Sequence, residues 1–247
     1  PAVATIYAHL EGMMGWTEFD MKLRDDFIYF TGVCHETDTC FTFMNVLRQQ
    51  ESLEGFPGEA LPSTAFYFTK QGVTDWASLL SYGDMQETGV RTSDVRNRNR
   101  ELSHYLMENA GQELVACLFQ REDTLQEAAA VLSLSVADVT EAERMLRSLI
   151  NTVSTEGRGK TPLITFCYTA NKAYPVYRLP QTTLFTQLTG FAEPTSHTYA
   201  TFYEGRLLLA PDENSLSRYI RQLDKGEVLN GAIAYRTGMA VSYTHLK

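Results

Sequence analysis

The chain has 247 residues, 44% hydrophobic and 21% charged, with a formal charge of −9 at pH 7. That length and apolar content support one large or two small globular domains and exclude the depleted composition of a disordered chain. The acidic balance argues against a nucleic-acid partner, which needs a concentrated positive field, and no apolar run approaches the roughly 18 residues of a membrane-spanning helix.

Near the N-terminus, Thr17, Phe19, Met21 and Leu23 alternate with Glu18, Asp20 and Lys22, the pattern of a half-buried strand. Asp25 and Asp26 mark a turn. Phe27 to Val33 then returns with apolar residues on both faces, which predicts a strand covered on both sides. Thr37 or Asp38 is placed to cap a helix carrying Phe41, Met44, Val46 and Leu47 along one side. After the loop ESLEGFPGEALP, Ser63 to Lys70 reads as a strand and Thr74 as the cap of a short helix with Trp76, Leu79 and Leu80. Arg91 to Gln112 predicts a longer helix, capped by Ser93 and closed by Asn109, Ala110 and Gly111, with Val95, Leu102, Tyr105 and Leu106 inward.

Glu113 to Gln120 is a strand and Arg121 to Asp123 a turn. The Ala-rich stretch that follows favours helix by composition. Yet Ala130, Leu132, Leu134 and Val136 alternate with Val131, Ser133 and Ser135, so Ala128 to Val136 reads as a strand. Asp138 and Glu141 then open a helix in the manner of a capping box, with Val139, Ala142, Met145, Leu146 and Leu149 on its apolar side. Leu163 to Thr169 and Ala173 to Leu179 form another strand pair, followed by a short helix around Leu184 to Leu188. Pro175 predicts that the returning strand is an edge or bulged one.

The clearest unit is His197 to Gly226. Thr198 to Tyr203 is rich in aromatic and β-branched residues, Glu204 and Gly205 supply a tight turn, and Arg206 to Ala210 returns. Asp212 caps a helix with Leu216, Tyr219, Ile220 and Leu223 at helical spacing, and Gly226 stops it. Finally, Met239 to Leu246 alternates like a strand, expected to pair at a sheet edge of this domain or with a further domain. Strand, turn, strand, helix therefore recurs. It predicts an α+β fold of antiparallel sheets built from repeated strand-turn-strand-helix units with helices packed on the sheet. An N-terminal α+β half spans 1–112 and a C-terminal α+β half 113–247, or the two form one continuous domain.

The segments GWTEFDMKLRDDFIYFTG, LPSTAFYFTKQGVTDWASLL and YATFYEGRLLLAPDENSLSRYIRQLDKGEVL together resemble an uncharacterised Bacteroidetes cell-envelope protein family, a domain of unknown function with hairpin–helix repeats. The likeness is one of pattern over most of the chain. It implies an extracytoplasmic location (periplasm or cell surface), an anchor outside the visible sequence, and a further domain of the same polypeptide. It brings no catalytic residues with it. The first residue is Pro1 and no leader pattern of basic then apolar residues is present. The chain is thus expected to be a mature protein or an excised piece.

Chemistry-bearing motifs are few. CHETDTC, Cys34 to Cys40, gathers two thiols, an imidazole and two carboxylates. A zinc site draws on separated ligand pairs, and no second pair has suitable spacing. No metal is expected there, and Cys34 with Cys40 is a candidate disulfide in an exported protein. Cys117 and Cys167 sit inside strands, where a thiol behaves as a small hydrophobe. GRGK, Gly157 to Lys160, follows a helix and precedes a strand, the reverse of a phosphate loop. Arg91, Arg96, Arg98 and Arg100 form a basic cluster, a solvated helix face or a site for an anionic partner. His9, His35, His104, His197 and His245 are scattered, with no nucleophile elbow, HExxH or dinucleotide fingerprint.

No catalytic residue, cofactor or metal is assigned on these grounds. The favoured expectation is a non-catalytic extracytoplasmic binding or structural module of the bacterial cell envelope, with a protein or glycan partner. A hydrolase acting on an envelope polymer, with a site assembled from scattered residues, is the alternative. A small-ligand or peptide sensor domain is the third.

Overall fold

The computed structural model describes residues 15–24, 27–36, 42–51, 60–86, 93–120, 128–154, 164–170, 172–179, 182–189 and 198–231. Met239 to Leu246 and the GRGK loop lie outside them. The chain is α+β, with antiparallel sheets and helices packed on the larger of them. No helix among the described residues is long and apolar enough to cross a membrane. Packing divides the chain into two compact units, residues 1–51 with 74–89, and residues 52–73 with 90–247.

In the first unit, β1 (Trp16–Arg24) and β2 (Phe27–His35) form a two-stranded antiparallel sheet in continuous register. The backbones approach closely at Gly32, where a Cβ would collide with the Glu18 carbonyl oxygen. The alternation in β1 is as expected, but its burial is not. Phe19 and Leu23 are 61% and 70% exposed, and Trp16, Met21 and Val33 are exposed too. A pattern of period two fixes which residues share a face; it does not supply a second layer to cover that face. Thr31 to Val33 of β2 is likewise open to solvent rather than covered on both sides.

Thr37 and Asp38 lie outside the described residues, and α1 (Phe43–Arg48) is capped by Thr42, whose hydroxyl accepts from the Asn45 N–H at 3.2 Å. The same hydroxyl donates to Glu36 at 2.6 Å, and Glu36 also accepts from the Gly15 N–H at 2.7 Å. These bonds, Thr42 first and then Gly15, hold the Glu36 carboxyl below its ordinary range. For α2 (Trp76–Gln86) the cap is Asp75, which accepts from the Ser78 N–H at 3.1 Å. Thr74, the residue expected to cap it, instead offers its N–H to the Gln50 side chain at 2.8 Å.

The second unit is a seven-stranded antiparallel sheet in the order β3 (Ala65–Gly72), β4 (Ala110–Gln120), β5 (Ala128–Val136), β9 (Arg206–Ala210), β8 (Thr198–Tyr203), β7 (Ala173–Leu179), β6 (Ile164–Tyr168). Ala128–Val136 is a strand, as its alternation requires. The last hairpin inserts at the centre, between β5 and β7. Glu204 and Gly205 both take positive φ, 43° and 78°, the turn that best matches the twist of a two-residue hairpin.

On one face, α6 (Glu213–Asp224) buries Leu216, Tyr219 and Ile220 against Val115, Cys117, Phe119, Val131, Tyr203 and Leu208. Asp212 caps α6 by accepting from the Ser215 N–H at 2.9 Å. Leu114, Leu132, Leu134, Leu207 and Leu209, also buried, alternate with these and so lie on the opposite face. That side carries α3 (Ser93–Asn109) and α4 (Val139–Ser154), while α5 (Leu184–Thr189) packs against α3. Asp138 accepts from the Glu141 N–H at 3.1 Å, the expected opening of α4.

Pro175 sits in an internal strand, not at an edge. Its carbonyl accepts from the Thr201 hydroxyl at 2.8 Å and so points toward β8. In a strand the N–H and C=O of one residue point the same way. The N–H that proline lacks would therefore face β8 also, at a level where pairing with β8, which spans Tyr177 to Leu179, has not begun. No ladder bond is lost.

Replacing buried Phe119 by Ala should lower unfolding stability by about 3–5 kcal/mol, whereas Phe19→Ala should change it by no more than about 0.5 kcal/mol. Urea midpoints test this. Equal losses would mean that the exposed face of β1 is covered in solution.

Candidate functional site

α3 and α4 flank a groove of about 540 Å³. Its floor is Tyr105 from α3 with Met145 and Leu149 from α4, and its rim carries Arg100, Glu101, His104, Glu108, Arg144 and Ser148. The helices hold this arrangement because each has a second, buried side. Leu102 and Leu106 on α3 and Ala142, Leu146 and Ile150 on α4 are all buried. Buried Asn99, nearly two turns into α3, anchors that helix to the segment before α5. Its side-chain oxygen accepts from the Thr182 hydroxyl at 2.7 Å and the Thr183 N–H at 3.2 Å, and its Nδ2 donates to the Thr183 hydroxyl at 2.6 Å. A buried amide satisfied on both ends is a strong positional constraint.

The floor is tied across the helices by the Tyr105 hydroxyl, which donates to the Ala142 carbonyl at 3.1 Å. Burial, with the nearby Glu143 carboxylate and Tyr177, pushes the Tyr105 phenol well above its ordinary range, so it stays a neutral donor. On the rim, His104 Nδ1 lies 3.4 Å from Glu108, and Arg144 forms a bidentate pair with Glu141 at 2.8 and 2.5 Å. These pairs are exposed and add little stability. What they leave is an apolar floor inside a rim of both charge signs.

Beneath α4 lies a more buried cluster. Arg147 Nε donates to the Tyr177 hydroxyl at 2.9 Å, its Nη2 pairs with Glu143 at 2.8 Å, and the Tyr177 hydroxyl donates to Glu143. Burial pushes the Glu143 carboxyl up, but the bonds from Tyr177 and Arg147 outweigh it and hold the group below its ordinary range. A second half-buried network joins strands. Glu113 accepts from Lys70 at 3.3 Å and from Arg206 at 2.6 Å, and Arg206 also bonds Ser133. Both networks lock elements together; neither opens into the groove.

The residues singled out from the sequence are dispersed. Arg91 lies outside the described residues. Arg96 and Arg100 are exposed one turn apart, while Arg98, two residues from each, is half-buried on another side of α3. Alternate residues in sequence fall on opposite sides of a helix, so the run is not one patch. Of the three described arginines, Arg100 alone lines the groove. Cys34 is half-buried with the Thr17 hydroxyl 3.7 Å from its sulfur. Cys40 lies outside the described residues, so its pairing with Cys34 is not placed. Cys117 is buried and its thiol is pushed up to about 12, and Cys167 donates to the Ser217 carbonyl at 3.9 Å. Among the described residues no group of three or more His, Cys, Asp or Glu side chains is placed to hold a metal ion.

Asn99, Glu143, Tyr177 and Glu113 escaped the sequence reading. Only Asn99, polar on the apolar side of α3, carried a visible signal. No family model, curated protein or solved structure matches the chain.

Glu143→Gln should cost about 1–2 kcal/mol at neutral pH by weakening the bonds from Tyr177 and Arg147. Because the folded carboxyl ionises more readily than the unfolded one, its contribution is complete above the ordinary value of 4.5 and is lost as pH falls through the lower folded value. Urea midpoints of wild type and variant should therefore differ at pH 7 and converge toward pH 3.

Proposed function

We propose that the chain is a non-catalytic, extracytoplasmic binding module of the bacterial cell envelope, and that the α3–α4 groove receives an amphipathic segment of a protein partner. The groove itself carries this proposal. Tyr105, Met145 and Leu149 offer apolar contact, and rim charges of both signs fix register and orientation rather than drive a reaction. His104 is paired with Glu108 and Arg144 with Glu141, an arrangement suited to recognition. The envelope location rests on the resemblance in sequence pattern, as does the expectation of further sequence in the same polypeptide.

A thermal-shift screen against synthetic amphipathic peptides and envelope oligosaccharides tests the proposal. A peptide present at about 100 times its dissociation constant should add about 2.7 kcal/mol to stability. Leu149→Glu, at the half-exposed edge of the floor, should abolish that shift while leaving the melting temperature of the free protein close to wild type. Stabilisation by oligosaccharides alone would replace the protein partner with a glycan, and turnover of an envelope polymer would overturn the non-catalytic assignment.

A further inference from the structure

The two ends of the α3–α4 groove differ in charge. Ala110, the residue after α3, pairs with Val136, just before α4. The last turn of α3 therefore lies beside the first turn of α4. Tyr105, one turn back along α3, accordingly meets Ala142, one turn into α4.

That end of the groove is acidic. Glu108 stands on the rim, and the capping Asp138 and Glu141 open α4 beside it. The Gly205 carbonyl accepts from the Val136 N–H at 3.0 Å, which brings the Glu204 turn to the same end. Among the described residues of α3 and α4, the cation facing this end is Arg144, already held twice by Glu141. Other cations lie on other surfaces. Arg147 and Lys172 surround Glu143 beneath α4. Lys70 and Arg206 share Glu113 on the α6 face, since they align with Val115 and alternate with Leu208.

Within this end, Glu108 has no permanent counter-charge. Its partner is His104, with Nδ1 3.4 Å away, and a histidine is a cation only when protonated. At the opposite end, Arg100 and Glu101 offset each other in sign, and Arg96 is exposed one turn earlier on α3. The groove thus has a direction. From Arg100 to Glu108 the rim covers two turns, about 12 Å, the length over which a helix presents apolar side chains at i, i+3, i+4 and i+7. The net charge of −9 favours the approach of a basic segment.

We propose that the groove receives an amphipathic helix with a basic residue just past its apolar stripe, and that this residue settles on Glu108. The inference rests on the reading of the groove as the site of a protein segment, and it adds the sign and direction of that segment.

Fluorescence anisotropy with the whole chain at pH 8 and low salt tests the proposal, using labelled helical peptides of about four turns. All carry leucine at i, i+3, i+4 and i+7 among alanine and glutamine, and one position a turn past the stripe is lysine, glutamine or glutamate. The lysine peptide should bind about two- to fivefold more tightly than the glutamine peptide, the scale of an exposed ion pair, and less so at high salt. Glu108→Gln, at an exposed position, should erase that advantage with an unchanged melting temperature. Glu108→Lys should make the glutamate peptide bind more tightly than the lysine peptide. Leu149→Glu should abolish binding of all three. If the glutamine peptide binds and lysine brings no gain, or the gain survives Glu108→Gln, the polarity proposed here is overturned and the groove reading stands. If no peptide binds, both fall.

Discussion

The turn at Glu204 and Gly205 sends β9 back beside β8 in the middle of the sheet, where neither face meets water. Leu208 and Ala210 pack toward α6, and Leu207 and Leu209 point to the other side. Three fully buried leucines give a gross stabilisation of about 5–9 kcal/mol, before the entropy of ordering the chain is subtracted. A strand so placed has to be apolar on both faces. It also requires cover on both sides, and that demand explains α6 on one face and α3 with α4 on the other. The groove follows, because two helices laid over one face meet along their outer surfaces.

Polar groups then fix what apolar burial leaves loose. Hydrophobic contact is non-directional, whereas Asn99 with Thr182 and Thr183, and Tyr177 with Glu143 and Arg147, admit one arrangement each. They fix α3 against the segment before α5 and set how α4 lies on β7. Tyr105 then joins the two helices through the Ala142 carbonyl. The groove thus has a rigid base and an exposed, charged rim.

Much of this architecture is legible along the chain because local rules and tertiary structure agree. The alternation in Ala128–Val136 outweighs its alanine content, since pairing with both β4 and β9 rewards the period of two. Asp138 and Asp212 cap the helices they precede because capping is decided within three residues. Elsewhere the deciding partner is distant in sequence. Asp75 displaces Thr74 as a cap because Gln50 engages Thr74. Pro175 is internal because β8 pairs only with the later part of β7. The exposure of Phe19 and Leu23 depends on what lies over β1, which no periodicity encodes. The groove was the least legible element, because Arg100, Tyr105 and Met145 come together only through helix packing.

The scaffold that holds the α3–α4 groove in place is the β8–β9 hairpin with its neighbours. Native-state hydrogen exchange on the intact chain tests this most directly, since it ranks the stability of each element. If β8–β9 anchors the sheet, the amides of Leu207 to Leu209 and of Leu132 to Leu134, which pair with them, exchange only through global unfolding and are the slowest in the protein. The β1–β2 pair, largely exposed on both faces over Trp16 to Leu23, exchanges many times faster. Slowest exchange in β1 and β2, or exchange of Leu207 to Leu209 through local opening, would contradict the central place given to that hairpin.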